Sequence, residues 1–223
     1  MTAVLAARPR AMTFDLDGTL YDAKRARRDY LWRNLGHLRA VRVTRRVRED
    51  LRGRDFGSHE ALLRAEAEEL AQRLGTDAAH ARQRADDVLG ARLCQTLRRI
   101  GPWPDAETSL RRLHDAGITL GVVSDYEPHA KLEALGLHNV PWQALIGAEC
   151  YGALKPWPSA FHAAAAQLGV APGHIVHVGD RRDTDGEGAR RAGYGGVVLL
   201  GSHGGDEPRV PTLAAVAELV LSG

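Results

Sequence analysis

The chain has 223 residues, of which 44% are hydrophobic, and its formal charge at pH 7 is +2. A chain of this size can fold around one large core and still carry a smaller inserted unit. Because 30 Lys and Arg nearly balance 28 Asp and Glu, the composition gives no electrostatic reason to expect a nucleic-acid partner. No apolar run approaches the roughly 20 residues that span a bilayer, so no membrane association is expected.

The number and spacing of the cysteines indicate whether the protein resides in a reducing or an oxidising compartment. Cys94 and Cys150 are the two cysteines, and they are far apart and not in a spacing typical of a metal site. Such usage is typical of a reducing compartment, and we expect both thiols to be buried or partly buried. The stretch MTAVLAARPRAM lacks the charged start of a leader, and a predicted strand follows it at once. The sequence therefore favours a cytoplasmic protein.

The first predicted element is a buried strand that runs into the stretch AMTFDLDGTLYD, at positions 11–22. Asp15 and Asp17 lie two residues apart at its end, and a glycine and a threonine follow them. Burying negative charge is costly unless a partner compensates for it. These two carboxylates are therefore candidates for a functional site.

A helical insertion is predicted next, over about 22–100. Ala, Leu, Arg and Glu recur there with helical spacing. In EALLRAEAEELAQRLG, one helix face carries Leu62, Leu63, Ala67, Leu70 and Leu74. Since strands are predicted both before and after this segment, we expect a helical cap over 22–100, inserted into an α/β core formed by 1–21 and 101–223.

The first half of the insertion is rich in arginine. From Lys24 to Arg54 it holds twelve Lys or Arg against three Asp or Glu. These side chains either cover solvated helix faces or face the core and attract an anionic substrate, and the sequence leaves both interpretations open.

The rest of the chain alternates short runs rich in Val and Ile with helix-like segments, which is typical of βα units around a parallel sheet. The predicted strands are 118–124, 143–148, 174–180 and 195–200. The predicted helices are 128–135, 159–168, 186–192 and 213–221. The stretch GSHGGDEPRVP before the last helix is expected to be irregular because it is rich in Gly and Pro. The predicted fold class is α/β, a doubly wound parallel sheet with an inserted α-helical cap.

Polar residues recur at the carboxyl ends of the predicted strands, where ligands bind in parallel sheets. Ser124 ends the second strand, Lys155 comes shortly after the third, and Asp180 ends the fourth. Together with Asp15 and Asp17, Asp180 makes three carboxylates that raise one another's pKa unless a cation lies among them. Oxygen-only ligands indicate Mg²⁺. The hydroxyl and the lysine suit a phosphoryl group.

Four motifs occur in this order: DLDGTL at Asp15–Leu20, VVSD ending at Asp125, LKP at Leu154–Pro156 and GDRRDTDGEGARRAG at Gly179–Gly193. Together they resemble the haloacid dehalogenase-like hydrolase superfamily over nearly the whole chain. An insertion directly after the first motif resembles the helical cap class of that family. The resemblance implies a Rossmann-like parallel sheet and hydrolase chemistry.

The resemblance also implies roles for individual residues. Asp15 would be the nucleophile that forms an aspartyl-phosphate, and Asp17 would protonate the leaving oxygen and then deprotonate the attacking water. Thr19 would orient this loop, Ser124 would donate a hydrogen bond to a phosphoryl oxygen, and Lys155 would balance the negative charge. The implied phosphate-binding residues are Gly18, Thr19, Ser124, Asp125 and Lys155.

The metal ligands implied by the resemblance are the Asp15 carboxylate, the Asp17 backbone carbonyl and Asp180, with Asp185 as a ligand through water or as an orienting residue. Two positions depart from the commonest family pattern. Asp125 stands where many relatives carry Asn, and Arg181 and Arg182 follow Asp180, after which many relatives carry Ser or Thr. Contact with the substrate and a surface position are both open for these two arginines.

The residue at position 17 bears on the reaction. Dehalogenases and phosphonate-cleaving relatives lack an Asp there, so Asp17 favours phosphomonoester chemistry. The main hypothesis is a cytoplasmic, Mg²⁺-dependent phosphatase that acts on a small phosphorylated metabolite. A phosphosugar mutase and a non-catalytic binding or regulatory module are the alternatives. The sequence indicates neither the substrate nor the oligomeric state.

Overall fold

The computed structural model describes residues 8–201 and 209–222. Its strands are β1 (Ala11–Phe14), β2 (Thr119–Ser124), β3 (Trp142–Gly147), β4 (Ile175–Gly179), β5 (Gly196–Leu200) and β6 (Arg209–Val210). All neighbouring strands are parallel, and their order is β3-β2-β1-β4-β5-β6. This is the doubly wound, Rossmann-like order, which reverses direction between β1 and β4 and opens a crevice at that point. The predicted fold class is confirmed.

Of the six helices between β1 and β2, five lie within the predicted insertion. They are α1 (Ala23–Arg33), α2 (Leu38–Leu51), α3 (His59–Leu74), α4 (Ala78–Asp86) and α5 (Arg92–Ile100). The wide turn Asp87–Ala91 joins α4 to α5 with a helical backbone. These helices, called the inserted helices below, occupy the segment that the sequence predicts to be helical. That this segment forms a separate cap domain stays a prediction.

The remaining helices are α6 (Ala106–Asp115), α7 (His129–Leu135), α8 (Ser159–Leu168), α9 (Glu187–Arg191) and α10 (Leu213–Leu221). Predicted and observed bounds agree for α8 and α10 and differ by one residue for α7. Helix α9 is shorter than predicted, because the chain first makes a wide turn over Arg182–Gly186.

Two observed elements are absent from the sequence prediction. One is α6, and the other is the short strand β6, which pairs with β5 within the stretch expected to be irregular. Residues 202–208 of that stretch lie outside the described residues. Residues 1–7, which belong to the stretch compared with a leader above, also lie outside them.

Strand β1 is buried on both faces of the sheet. Met12 and Phe14 pack in one core cluster together with α6 and α10, whereas Ala11 packs in a second cluster with α8 and α9. A strand covered by helices on both sides reads as a continuous apolar run. This is why the residues just before Asp15 are mostly hydrophobic; the exception, Thr13, forms a hydrogen bond with His177.

Helices α2, α3 and α4 share one hydrophobic cluster, which Leu154 of the third motif also joins, whereas α1 and α5 contribute to the main core. Leu62 and Leu70 of α3 are fully buried and pack against Val47 of α2 and Ala81 of α4.

The predicted apolar face of α3 is confirmed in part: Leu74 packs against this cluster, whereas Leu63 and Ala67 are half-buried and lie outside it. The buried face instead contains Glu66, a carboxylate that is only 2% exposed. A buried carboxylate requires a charged partner, which α2 supplies.

The two cysteines differ in burial. Cys94 is buried, but Cys150 is exposed, so the expectation for Cys150 was wrong. Cys150 lies in the short turn Ala148–Tyr151, which follows β3 on the surface. Within residues 8–201 and 209–222, no helix is both long and apolar enough to cross a membrane.

Candidate active site

Asp15 directly follows β1 at the reversal point of the sheet. Its backbone N–H donates to the carbonyl of Val178 in β4 at 2.8 Å, so the strand ladder fixes the start of the loop. On the other side of β1, Ser124 ends β2. The predicted convergence of polar residues at this edge follows from the parallel pairing of the three strands.

The Asp15 carboxylate is held by two side chains. Lys155 Nζ donates to Asp15 Oδ1 at 2.6 Å, and the Thr19 hydroxyl donates to Oδ2 at 3.2 Å. Lys155 is only 2% exposed and also donates to Asp185 Oδ1 at 2.6 Å. One ammonium group therefore bridges two carboxylates at the bottom of the crevice.

Asp180 and Asp185 complete a carboxylate cluster with Asp15. Asp185 Oδ2 accepts hydrogen bonds from the backbone N–H groups of Asp180 and Arg181, at 3.2 and 3.0 Å. Carboxylate oxygens of Asp15, Asp180 and Asp185 all lie within 4.8 Å of one another. An oxygen-only set of this size fits a hard divalent cation such as Mg²⁺.

The electrostatics of the cluster also favour a cation. Burial raises the pKa of Asp15 well above its usual value, against the attraction of Lys155. Burial, reinforced by the charge of Asp185, raises the pKa of Asp180 to about 6. Burial acts on Asp185 in the same direction, but Lys155 and His177 outweigh it and hold its pKa low. A cation among these groups would favour the ionised forms of all three carboxylates.

Position 18 requires a glycine for two reasons, its backbone conformation and the closeness of Asp180. Its φ of +99° lies in the region that favours glycine, and an added Cβ would collide with the carboxylate of Asp180. The loop after β1 therefore passes close to the carboxylate cluster only because position 18 has no side chain.

The second motif is turned toward the inserted helices. The buried Ser124 hydroxyl accepts the backbone N–H of Tyr126 at 3.3 Å. Asp125 accepts the backbone N–H of Lys155 at 2.9 Å and forms an ion pair with Arg52 at 2.6 Å. The extra negative charge at position 125 thus has its own cation. Phosphate binding by Ser124 and Asp125 stays a prediction.

Asp17 has partners that the sequence analysis missed. Lys131 Nζ donates to its two carboxylate oxygens at 2.8 and 2.6 Å, and the Tyr21 hydroxyl donates to Oδ1 at 2.5 Å. Burial favours a higher pKa for Asp17, but Lys131 and these hydrogen bonds outweigh it and lower the pKa. Tyr21 lies four residues after Asp17, which is a weak local signal. Lys131 lies in α7, where helical periodicity alone does not separate it from surface lysines.

Arg48 of α2 was also missed. It is only 5% exposed and forms ion pairs with Glu66 at 3.1 Å and with Glu149 at 3.0 Å. It also donates to the backbone carbonyl of Asp125 at 3.3 Å and lies 3.9 Å from the ring centroid of Tyr126. Arg48 thus connects the inserted helices to the turn after β2.

Arg181 makes a further connection to α2. It pairs with Glu49 at 3.1 Å and with Asp183 at 2.6 Å. Glu49 also pairs with Arg52 at 2.9 Å. The departure from the family pattern at position 181 therefore accompanies a contact between the fourth motif and the inserted helices.

A cavity of about 430 Å³ lies between the carboxylate cluster and the inserted helices. One face of α2 lines it, because residues 41, 42, 45, 48, 49 and the adjoining 52 recur with helical spacing. Apolar side chains cover another part of the wall: Tyr30, Leu31, Val41, Val88, Leu89 and Leu93. The volume and the mixed lining suit a small molecule.

Four cations of the cavity wall are exposed residues. In the part of the chain that the structure describes, no ion pair involves any of Lys24, Arg27, Arg42 or Arg45. All four residues are exposed and also line the cavity, so for them the two interpretations of the arginine-rich segment do not exclude each other. These four side chains give the entrance of the cavity a positive charge that attracts anions.

A family model described as haloacid dehalogenase-like hydrolase matches residues 9–193. The chain belongs to this family. The four motifs meet at the carboxylate cluster that follows β1. The resemblance inferred from those motifs is confirmed.

Several curated relatives of this hydrolase are named as phosphatases. It is 31% identical to phosphoglycolate phosphatase of Rhodospirillum rubrum over 224 residues, which cover 94% of this chain and 86% of the relative. It is 39% identical to glyceraldehyde 3-phosphate phosphatase of Methanopyrus kandleri over 114 residues, about half of each protein, at 49% and 48%. The chain is an enzyme, a phosphatase-type hydrolase of this family.

Solved structures show the same fold. The L-2-haloacid dehalogenase of Xanthobacter autotrophicus aligns with a TM-score of 0.66 at 20% identity, over 96% of this chain and 98% of its own. A HAD phosphatase of Thermococcus onnurineus aligns with a TM-score of 0.60 at 24% identity, over 96% and 98%. At these identities the likeness concerns the fold alone.

Proposed function

We propose that this hydrolase is a Mg²⁺-dependent phosphomonoesterase that acts on a small metabolite in the cytoplasm. The observation that supports this most strongly is the surroundings of Asp15, which is buried beside one lysine and two further carboxylates. Without a chemical role, such a concentration of buried charge would be a cost to the fold.

In the first step, an Asp15 carboxylate oxygen attacks the phosphorus atom of the substrate. The bond between phosphorus and the leaving oxygen breaks, and this oxygen takes a proton from Asp17. Asp17 must enter the step in its acid form. A bound phosphate dianion raises the pKa of this carboxyl, because like charges disfavour ionisation. The products are an aspartyl-phosphate at Asp15 and an alcohol.

In the second step, the Asp17 carboxylate takes a proton from a water molecule whose oxygen attacks the phosphorus atom. The acyl-phosphate bond breaks, inorganic phosphate leaves, and both carboxyl groups return to their starting forms. Throughout, Lys155 balances the charge beside Asp15. Asp15, Asp180, Asp185 and the Asp17 backbone carbonyl would hold Mg²⁺, which when bound supplies positive charge to the phosphoryl oxygens.

The inserted helices would serve as a cap over the site. They form one wall of the cavity, and they meet the core through Arg48 and Arg52. A wall of this kind excludes bulk water from the reacting groups and selects the leaving group by size.

The substrate is expected to be small and to carry a second negative charge. The cavity volume of about 430 Å³ limits its size, and the cations at the entrance favour an anionic leaving group. Phosphoglycolate, named for the Rhodospirillum rubrum relative, carries a carboxylate. Glyceraldehyde 3-phosphate, named for the Methanopyrus kandleri relative, has no second anion and is the natural comparison.

The test is phosphate release from phosphoglycolate, glyceraldehyde 3-phosphate, several hexose phosphates and nucleoside monophosphates, with Mg²⁺ or with EDTA. We expect Mg²⁺-dependent release, with the highest kcat/KM for phosphoglycolate among these compounds. Asp15→Asn removes the nucleophile, so its activity should fall by at least about 10³-fold. Asp115→Asn, an exposed carboxylate at the end of α6, is the matched control and should keep the wild-type rate.

The outcomes separate the alternatives. Absence of release from every compound, for a folded wild type with Mg²⁺, would refute the phosphatase proposal. Interconversion of sugar phosphate isomers that exceeds phosphate release would instead support the mutase. Equal rates for wild type and Asp15→Asn would mean that Asp15 is not the nucleophile.

A further inference from the structure

Lys131 is a buried cation that the reaction scheme above does not use. It lies in α7, and its side chain is only 4% exposed. A lysine at such a depth needs an anionic partner, because transfer of an unpaired ammonium from water into a protein interior is costly. Its partner is Asp17, at 2.8 and 2.6 Å from the two carboxylate oxygens.

Two aromatic residues add to this arrangement. The Tyr21 hydroxyl donates to Asp17 Oδ1 at 2.5 Å, so both Tyr21 and Lys131 hold the same carboxylate. Lys131 Nζ also lies 4.4 Å from the ring centroid of Tyr126, where a cation–π contact restricts its position. Arg48 of α2 packs against that same ring at 3.9 Å.

The Asp17 carboxylate is therefore fixed in place from two directions while it remains partly open to the cavity. Its side chain is 32% exposed, whereas Lys131 is almost fully enclosed. A group that transfers a proton must lie within hydrogen-bond reach of the atom that receives it, and an error of about 1 Å is costly.

We propose that Lys131, assisted by Tyr21, is a positioning residue that holds Asp17 for proton transfer to the leaving oxygen. This inference rests on the proposed phosphomonoesterase function. In the scheme, one oxygen of Asp17 carries the transferred proton while the other stays bound to Lys131. Lys131 keeps its own protons and touches neither the phosphorus atom nor the leaving oxygen.

The proposal makes a prediction about leaving groups. An alkyl phosphate releases a basic alkoxide, which needs the proton of Asp17. 4-Nitrophenyl phosphate releases a stable phenolate, which needs little protonation. Since kcat/KM reports the first chemical step, misplacing Asp17 should lower it for the alkyl phosphate much more than for the nitrophenyl ester.

The experiment measures kcat/KM of Lys131→Met with both kinds of substrate, using as the alkyl phosphate the one that wild type hydrolyses fastest. We expect a loss of about 30-fold or more for the alkyl phosphate and of less than about 3-fold for 4-nitrophenyl phosphate. Asp17→Asn should show the same preference more strongly. Adding Lys131→Met to Asp17→Asn should cause little further loss, because the two residues act as a unit. Glu133→Gln, an exposed change in the same helix, is the control.

Tyr21→Phe provides a second variant, since it removes a single hydroxyl and preserves the ring. It should shift the ratio of the two kcat/KM values in the same direction by about 3-fold to 10-fold. If Lys131→Met does not fold, as judged by thermal unfolding, the ratio for Tyr21→Phe decides.

Equal losses for both substrates in an active enzyme would overturn the role of Lys131 and leave the phosphatase proposal intact. A full additional loss in the double variant would also overturn it, since Lys131 would then act independently of Asp17. A wild type without phosphatase activity would overturn both proposals together.

Discussion

At the residue scale, the carboxylate of Asp125 shows how a buried negative charge near the carboxylate cluster is tolerated. Arg52 lies 2.6 Å from one of its oxygens, and the backbone N–H of Lys155 donates to the other at 2.9 Å. Burial works against ionisation of Asp125, but Arg52 and Lys155 outweigh it and lower the pKa of this carboxyl. The pair is an internal ion pair that joins the second motif to the chain just after α2.

This arrangement predicts a pH-dependent stability. The folded-state pKa of Asp125 lies below the ordinary value of 3.8, so its stabilising effect is fully present above about pH 4. The effect is lost as the pH falls through the folded-state pKa. Asp125→Asn should lower the free energy of unfolding by about 1–3 kcal/mol at pH 7, and the difference from wild type should shrink below pH 3.8.

Urea unfolding of both proteins at several pH values between 7 and 3 measures this difference. Asp115→Asn, which changes an exposed carboxylate, should give a difference near zero at every pH. A difference between wild type and Asp125→Asn that stays constant down to pH 3 would contradict the assigned ion pair.

At the element scale, α2 is an inserted helix that contacts the second and fourth motifs, through Arg48 and Glu49. Its face toward the core carries Arg48, which is surrounded by Glu66, Glu149 and the Tyr126 ring. Helical periodicity brings Arg42 and Arg45 to the same side, one or two turns earlier, at the cavity entrance. One helix face therefore both anchors the inserted helices and provides cations to the cavity.

The buried position of Arg48 predicts a large effect of its removal. Arg48→Met leaves Glu66, whose side chain is 3% exposed, without its cation, and should lower the free energy of unfolding by about 3–5 kcal/mol. The double variant Arg48→Met/Glu66→Leu should recover at least half of this loss, because no unpaired charge then remains between α2 and α3.

The midpoints of urea unfolding measure both effects. Arg46→Met is the matched control, since Arg46 lies in the same helix with a side chain that is 74% exposed, and should change stability by less than about 0.5 kcal/mol. Additive losses in the double variant would show that Arg48 and Glu66 do not compensate each other.

At the scale of the whole molecule, the parallel sheet brings together residues from distant parts of the chain. Asp15 follows β1, Lys155 follows β3, and Asp180 and Asp185 follow β4. Repulsion within this cluster opposes folding, and a bound divalent cation would relieve it. Ligand binding to the native state alone stabilises it by mass action.

Mg²⁺ should therefore raise the Tm. At a concentration about 100 times Kd, it should stabilise the protein by about 2.7 kcal/mol, or roughly 5–10 °C in a chain of this size. Excess EDTA should reverse the shift, and Asp180→Asn should abolish most of it. Differential scanning calorimetry with NaCl at matched ionic strength as the control tests this, and an equal shift in NaCl would contradict a specific site.

Much of the fold follows from local sequence patterns. The apolar runs at 118–124 and 174–180 predict β2 and β4 because strands covered on both faces contain few polar residues. The segment of α3 predicts a helix because its apolar residues recur three or four positions apart. The strand β6 and the wide turn Arg182–Gly186 are not predictable in this way, because a two-residue strand depends on its neighbour β5 and has no periodicity of its own.

The sequence by itself identified the family through the order of its four motifs. It also predicted that Asp15 and Asp180 lie close together, because both follow strands whose ends meet in a parallel sheet. Only the tertiary structure decided which charged residues pair: Lys131 with Asp17, Arg52 with Asp125 and Arg48 with Glu66. These pairs join residues separated by 114, 73 and 18 positions. A charged residue in an amphipathic helix has the same local pattern whether water or a buried carboxylate is its partner, so only packing distinguishes the two.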